Sequence, residues 1–180
     1  MRLYVVRRLT FALLVAGCLG SAATLERLSL DEMIETSTAI VRGRITGSWP
    51  AMSGRMVYTH YRLQVAERWK GGQQAEIEFV VPGGTVNNVR QIVDGAPQLS
   101  TGREYLLFLW TSKLSHLTYV LGFTQGIFTL SGDEAVRDAS AELMLERGTG
   151  RVVRGERIQM RMRDLGSRIT MRLGGKGGVQ

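Results

Sequence analysis

The sequence has very few of the residues from which catalytic and metal centres are usually built. Its 180 residues include one cysteine, Cys18, and two histidines, His60 and His116. A catalytic zinc ion commonly needs three His, Cys or carboxylate ligands, and no HExxH motif is present. The nucleophile motif G-x-S-x-G and a phosphate-binding loop are also missing. We therefore predict a protein that is not an enzyme and uses no metal or cofactor.

Long apolar runs are missing too, except near the N-terminus. Three arginines, Arg2, Arg7 and Arg8, precede the apolar residues 9–17, and small residues occupy positions 21–23. This pattern is typical of a signal peptide, and its apolar core is too short for a membrane span of about 20 residues. We predict that residues 1–23 are a signal peptide and that the protein is exported to the periplasm or secreted.

Cys18 introduces an alternative for how the leader is processed. Residues 15–18, VAGC, resemble the lipobox of bacterial lipoproteins, in which the cysteine becomes the lipidated first residue. Cleavage after Ala23 would instead leave a mature chain without cysteine, and hence without a disulfide or a thiolate metal site. The sequence leaves both routes open, and lipidation at Cys18 would give an outer-membrane lipoprotein with a structural role.

The most regular pattern in the chain is the alternation of residues 56–71, MVYTHYRLQVAERWKG. One predicted face holds Val57, Thr59, Tyr61, Leu63, Val65 and Trp69, and the other includes Tyr58, His60 and Arg62. Alternation with a period of two, rich in β-branched and aromatic residues, indicates a long half-buried strand.

Further strands are predicted on both sides of this one, at residues 39–49, 75–81, 86–93, 105–110, 117–123 and 126–130. Before them, Ser29 and Glu32 have the spacing of a capping box, which predicts a short helix over residues 30–36. Short strands separated by turn residues favour a small antiparallel barrel or sandwich. We predict a mainly β domain of six or seven strands over residues 24–132.

The C-terminal quarter of the chain has a different character. Residues 133–155 are polar and predict a linker, and residues 174–180 predict a disordered tail. Between them, Ile158, Met162, Leu165 and Ile169 have the spacing of one helical face, which predicts a helix over residues 156–173. Its other faces carry Arg157, Arg161, Arg168 and Arg172. We expect this helix to cover the barrel, with contact to an anionic membrane surface as the alternative; export argues against nucleic acid.

Several segments together carry a family resemblance. The strings LSLDEMIETSTAIVRGRITG, VYTHYRLQVAERWKG, VVPGGTV, GREYLLFL and GFTQGIFTL, between residues 25 and 130, resemble exported bacterial proteins of unknown function. The strand order is similar to the oligonucleotide/oligosaccharide-binding (OB)-like barrel of netrin modules and tissue inhibitors of metalloproteinases. The motifs concerned are Lys70-Gly71 and the segment 102–108. The resemblance implies that fold but not protease inhibition, because those inhibitors depend on an N-terminal cysteine and disulfides.

Two surfaces are the best candidates for contact with a partner. The first is the segment containing Pro82, Gly83, Gly84, Asn87 and Asn88, where Pro82-Gly83-Gly84 suits a type II turn and the asparagines offer donors and acceptors. The second is the strip of Tyr58, His60 and Arg62. We predict a non-catalytic binding or structural module of the bacterial cell envelope, whose partner is an unidentified protein or small ligand.

The alternative to a binding module is a hydrolase that uses His60 with carboxylates and a metal ion. That hypothesis predicts that His60 and at least two Asp or Glu side chains converge in a cleft.

Overall fold

The computed structural model describes residues 24–140 and 143–175. The elements in the first half are β1 (Thr24–Glu26), α1 (Leu30–Thr36), β2 (Ala39–Ser53), β3 (Met56–Lys70), β4 (Glu76–Pro82), β5 (Gly84–Val86) and β6 (Val89–Gln91). They are followed by β7 (Glu104–Thr111), β8 (Thr118–Val120), a 3-10 helix (Phe123–Gly126), β9 (Ile127–Ser131) and β10 (Glu134–Arg137). The last elements are β11 (Leu143–Leu145), β12 (Val152–Val153), β13 (Ile158–Arg161) and α2 (Met162–Gly174). The predicted signal peptide, Cys18 and residues 176–180 lie outside the described residues.

The described residues are 50% strand and 16% helix, which confirms the prediction of a mainly β protein. The largest sheet has eight strands in the order β13-β10-β9-β7-β2-β3-β4-β8, and β8 also pairs with β7. The pairings within this sheet are antiparallel apart from β4 with β8, which is parallel and involves Val80 and Tyr119. A smaller sheet has the order β1-β11-β12, and β5 and β6 form a hairpin.

The helix α1 has a capping box at its N-terminus and a lysine side chain at its C-terminus. The Ser29 hydroxyl accepts a hydrogen bond from the Glu32 backbone N–H, and the Glu32 carboxylate accepts one from the Ser29 N–H at 2.8 Å. At the other end Lys70 Nζ donates to the carbonyl oxygens of Ile34 and Glu35, at 2.9 and 2.8 Å. A cation is favourable there because the C-terminus of a helix is its negative end. The predicted capping box and helix are confirmed.

Two buried clusters occupy the two faces of the main sheet. One combines apolar residues of α1 and α2 with Ile40, Leu106 and Phe128. The other lies on the opposite face and includes Val41, Leu63, Phe79 and Leu107. Strand β7 contributes alternate residues to both clusters, because a strand points successive side chains to opposite faces. The predicted apolar run at residues 105–110 is therefore a strand covered on both sides, except at Trp110, which is 40% exposed.

The prediction that Trp69 shares a face with Leu63 and Val65 is wrong. The register between β2 and β3 shifts after Val65 and again after Arg68, leaving Ala66 and Trp69 without a partner on β2. Each such bulge inserts one residue into a strand and so changes which face the next side chain takes. Val65 packs with the cluster around Leu63, whereas Trp69 packs against the cluster that contains the helices.

Gly43 lies on β2 at a point where the backbone of β3 is very close. A Cβ atom built on Gly43 would lie 2.2 Å from the Gln64 carbonyl oxygen, far inside van der Waals contact. The backbones of β2 and β3 are therefore too close at this position for any side chain.

The prediction that residues 133–155 form a linker is also wrong. Glu134–Arg137 pairs with both β9 and β13 in the main sheet, and Ala135 is fully buried. The polar residues around it hid this strand, because only Ala135 and Val136 are apolar in it. The predicted start of the C-terminal helix at residue 156 is wrong as well. Ile158–Arg161 is an edge strand bonded to β10, so α2 begins only at Met162. The helix then continues to Gly174, one residue into the predicted tail.

Candidate functional site

Residues from five strands form one continuous row across the face of the main sheet opposite to Leu63 and Phe79, which we call the outer face. Trp49 of β2 lies opposite His60 of β3, and His60 lies opposite Val80 of β4. Val80 is paired with Tyr119 of β8, which in turn lies opposite Trp110 of β7. Neighbouring strands are about 4.8 Å apart, so successive members of this aromatic row lie side by side. Val80 is buried in its middle, between aromatic side chains on both sides.

Near one end of the aromatic row, His60 contacts two neighbours, Trp49 and Glu78. Its ring lies 5.5 Å from that of Trp49 with the planes inclined by 17°, and its Nδ1 is 2.8 Å from Glu78 Oε1. The Arg62 guanidinium carbon lies 5.2 Å from the centre of the same Trp49 ring, within the range of cation–π attraction. His60 and Arg62 therefore lie on one face, as their spacing predicts, and share Trp49.

At the other end, Tyr119 is the centre of an aromatic group. Its ring centroid is 6.1 Å from that of Tyr58, edge to face, and 6.2 Å from that of Trp110. Burial and a hydrogen bond with the Tyr119 phenol raise the pKa of the Tyr58 phenol above its ordinary value. Tyr58 is thus placed on the same face as His60, but its direct aromatic partner comes from β8.

A hollow of about 530 Å³ opens beside this aromatic group. Its floor contains Val80, Val81 and Pro82, and its walls include Tyr58, Trp110, Tyr119, Leu25, Leu28 and Phe123. Glu26 and Arg147 are its charged lining residues. Small-molecule sites are typically concave, mainly apolar and between about 300 and 1,000 Å³ in volume. The hollow has the shape and size of a ligand site.

The backbone on one side of this apolar hollow is unusual. Gly122 and Phe123 have φ angles of 64° and 57°. A left-handed conformation is easy for glycine but costs about 1–2 kcal/mol for a residue with a side chain. Phe123 adopts it where its side chain lines the hollow, and strained backbone of this kind is often found at functional sites.

The prediction of a chain reversal at Pro82-Gly83-Gly84 is wrong. Pro82 pairs with Tyr58, and the Gly83 N–H continues the ladder by donating to the Val57 carbonyl oxygen at 2.8 Å. The chain reverses at Asn87 and Asn88, which have φ angles of 48° and 64° and join β5 to β6. Two residues with positive φ are typical of a type I′ hairpin turn, for which asparagine is well suited. The irregular strand predicted over residues 86–93 is this turn and its return strand.

The two candidate contact surfaces meet only at Pro82. Pro82, Gly83 and Gly84 line a second hollow of about 350 Å³, whose other lining residues include Arg90, Gln91 and Pro97. Asn87 and Asn88 are exposed at the hairpin tip and line neither hollow. Pro82 lines both hollows. Its cross-strand neighbour Tyr58 lines only the apolar hollow of about 530 Å³.

Two of the four candidate arginines for membrane contact are directed at α1. Arg168 Nη2 lies 3.0 Å from Asp31 Oδ1, and Arg172 forms an ion pair with Glu35. The partners are four residues apart on each helix, so two pairs form side by side. Arg157 lies 3.5 Å from Asp138, and Arg161 is exposed on the edge strand β13.

The histidines are not gathered into a larger polar cluster. His116 is exposed in the loop between β7 and β8, and Glu78 is the carboxylate bonded to His60. Within the described ranges 24–140 and 143–175, no three His, Cys, Asp or Glu side chains lie close enough together to hold a metal ion. The hydrolase alternative requires His60 to converge with two carboxylates. The described side chains do not form such a group.

Trp49, Trp110 and Tyr119 were not singled out by the sequence. They come from three different strands, and only the register between those strands brings them into line with His60. A usable signal was their chemistry, since large aromatic residues near strand ends, with polar neighbours, are often partly exposed.

Comparison with models of protein families, with curated proteins and with solved structures found no match. In the part of the chain that the structure describes, no helix has both the length and the apolar composition needed to cross a membrane.

Proposed function

We propose that this chain is an exported, non-catalytic binding module of the bacterial cell envelope. Its binding surface is the outer face of the sheet that carries the aromatic row and the apolar hollow. The observation that carries the proposal is the alignment of Trp49, His60, Tyr119 and Trp110 in register across five strands. Partly exposed aromatic residues are enriched at binding surfaces because they bury much area with few rotatable bonds.

The finer architecture that we propose is an OB-like barrel made of β2, β3, β4, β8 and β7. Support comes from the pairing of β8 with both β4 and β7, which links these five strands in a ring. In OB-folds the ligand face lies on the second and third strands of the barrel. Here those strands would be β3 and β4, which carry His60 and Val80, so the proposed fold and the proposed surface agree.

A binding experiment with cell-envelope fractions tests this function. Protein produced from the full 180-residue sequence would be incubated with separated envelope lipids, glycan strands and envelope proteins, and binding measured by co-sedimentation. We expect one fraction to bind, and Tyr119→Ser to reduce that binding at least tenfold. Leu114→Ser, at a leucine that is 93% exposed and lines neither hollow, is the matched control and should bind as the unaltered protein does. Equal binding by both variants, or binding to no fraction, would contradict the proposal.

Export and lipidation are tested separately by the mass of the mature N-terminus. A chain that begins at Thr24 would support ordinary cleavage. A chain that begins at a diacylated Cys18 and partitions into detergent would support an outer-membrane lipoprotein. Recovery of the intact chain with Met1 in the cytoplasm would contradict export.

A further inference from the structure

The apolar hollow differs chemically from the rest of the outer face. Most of its lining side chains are aliphatic or aromatic, from Leu25 and Leu28 on one side to Trp110 and Tyr119 on the other. A sugar would need several hydrogen-bonding partners within it. Of the two phenols in the hollow, that of Tyr119 already has a polar neighbour, because its oxygen lies 3.4 Å from Ser115 Oγ. The lining therefore favours a ligand group that makes no hydrogen bonds.

The charged groups at the hollow are already paired. Arg147 Nε and Nη2 donate to the two carboxylate oxygens of Glu26 at 2.7 and 3.0 Å. A second carboxylate, that of Glu32, lies 3.7 Å from Arg147 Nη1. Since one guanidinium faces two carboxylates, a negatively charged group has no free partner there. The part of the ligand that enters the hollow is therefore not an anion.

Separate segments of the chain line the hollow. The strand β1 and Leu28 form one wall, and Phe123 is held beside them in its left-handed conformation. Gly122 precedes it, with its Cα close enough to Leu28 that an added Cβ would lie 3.2 Å from Leu28 Cδ1. Leu28 and Phe123, from the first third and the last third of the chain, thus line the same hollow as Tyr119 and Trp110.

We propose that this hollow binds one alkyl chain of a membrane lipid. The proposal rests on the binding function proposed above and names the chemical class of its ligand. The alkyl chain contacts Leu25, Leu28, Val80 and the aromatic walls, and the polar head group stays outside, toward solvent. The aliphatic lining, the paired charges and the volume of about 530 Å³ are the observations that select an alkyl chain.

A chain-length series provides the direct test. Hexyl, octyl and decyl maltoside, each below its critical micelle concentration, would be titrated by calorimetry into protein produced from the full 180-residue sequence. Burial of each methylene contributes about 0.8 kcal/mol, so each pair of added methylenes should tighten the Kd about tenfold until the hollow is filled. Maltose alone should not bind. A Kd independent of chain length would overturn the proposal.

Two variants locate the binding. Leu25→Asp places a carboxylate in the lining of the hollow, and Trp110→Ala removes from it a ring that is 40% exposed. Each should weaken decyl maltoside binding at least tenfold. Leu114→Asp, at a leucine that is 93% exposed and outside the hollow, is the matched control and should change the Kd less than twofold. Undiminished binding by Trp110→Ala would overturn the assignment to this hollow.

A third measurement identifies the molecule that supplies the alkyl chain. The protein would be incubated with vesicles of phosphatidylethanolamine and phosphatidylglycerol, re-isolated, and its bound lipid counted by mass spectrometry. We expect about one lipid per protein chain, and less than a tenth of that for Leu25→Asp. If envelope glycan or protein bound through Tyr119 while neither maltosides nor lipids did, the lipid proposal would fail and the binding function would stand. Failure of every ligand would contradict both.

Discussion

Trp49 and His60 lie directly opposite each other on β2 and β3, with ring planes inclined by 17° and centroids 5.5 Å apart. The pair begins a row that continues through Val80 and Tyr119 to Trp110. The strands β2, β3 and β7 also contribute fully buried residues to the core, so the packed core holds the strands that carry the row. A surface held in this way needs little ordering when it binds, which lowers the entropic cost of binding.

Two glycines with different surroundings should respond in opposite ways to alanine. In Gly166→Ala the new methyl group would lie 3.4 Å from the Trp69 ring, an ordinary contact distance. Since alanine favours a helix by about 1 kcal/mol over glycine, we expect a gain of roughly 0.5–1 kcal/mol in the free energy of unfolding. Urea denaturation measures it.

Gly43→Ala is the comparison for that experiment. Its methyl group would lie 2.2 Å from a backbone oxygen of β3, so the strands must separate. We expect a loss of roughly 1–3 kcal/mol. Equal effects of the two substitutions would contradict the described packing of Gly43 and Gly166.

The hairpin turn at Asn87 and Asn88 gives a second test. Asn88 has a φ of 64° and an exposed side chain, so its replacement probes the backbone alone. Asn88→Gly should leave stability unchanged or raise it slightly, because asparagine followed by glycine is a preferred type I′ pair. Asn88→Val should cost about 1–2 kcal/mol, because a β-branched residue resists positive φ. The thermal unfolding temperatures of both variants provide the measurement. If the chain reversed at Pro82-Gly83-Gly84 instead, Asn88→Gly and Asn88→Val would have similar unfolding temperatures.

The capping box of α1 should make stability depend on acid pH. Hydrogen bonds from Ser29 lower the pKa of the Glu32 carboxyl below its ordinary value of 4.5. A carboxyl whose pKa is lower in the folded state stabilises the fold above the unfolded pKa, and this contribution is lost as the pH falls through the folded pKa. We expect Ser29→Ala to raise the pKa of Glu32 in an NMR titration and to cost about 1 kcal/mol at neutral pH.

The matched control for the capping box is Ser53→Ala, at an exposed serine at the end of β2. It should leave the Glu32 titration unchanged. A Glu32 pKa that does not respond to Ser29→Ala would show that the capping box does not set it.

The ion pairs between the two helices predict a measurable coupling between Asp31 and Arg168. Arg168 Nε and Nη2 both donate to Asp31 Oδ1, at 3.1 and 3.0 Å. Both side chains are partly exposed, so a double-mutant cycle of Asp31→Asn and Arg168→Gln should give only about 0.2–1 kcal/mol at low salt and less at high salt. A cycle of Asp31→Asn with Arg161→Gln, on β13, should give no coupling. A large negative effect of Arg168→Gln on vesicle binding, with no coupling to Asp31, would instead favour the membrane-contact alternative.

The sequence predicts the regular elements of this fold well and their register poorly. The capping box at Ser29 and the strands predicted at residues 75–81 and 105–110 all depend on near neighbours in the chain, and all are confirmed. Trp69 was placed on the wrong face because bulges depend on how two strands pair. The strand Glu134–Arg137 was missed because its burial comes from partners on both sides, not from its own composition.

The candidate site was predicted only in part for the same reason. His60, Tyr58 and Arg62 follow from the alternation of one strand, and they do share a face. Trp49, Tyr119 and Trp110 join them only through pairings between distant segments. The apolar hollow also needs Leu25 and Leu28 from the N-terminal segment, and no local pattern indicates that they lie beside Tyr119.

Oxidative footprinting in intact cells is the most direct test of the claim that the aromatic row is a binding surface. Hydroxyl-radical modification of Trp49, Trp110 and Tyr119 would be compared between the protein in its native envelope and the purified protein, with Trp69 beneath α2 as the internal control. The account predicts at least threefold protection of Trp110 and Tyr119 in cells, with Trp69 unchanged. Equal modification of all these residues in cells and in purified protein would contradict it.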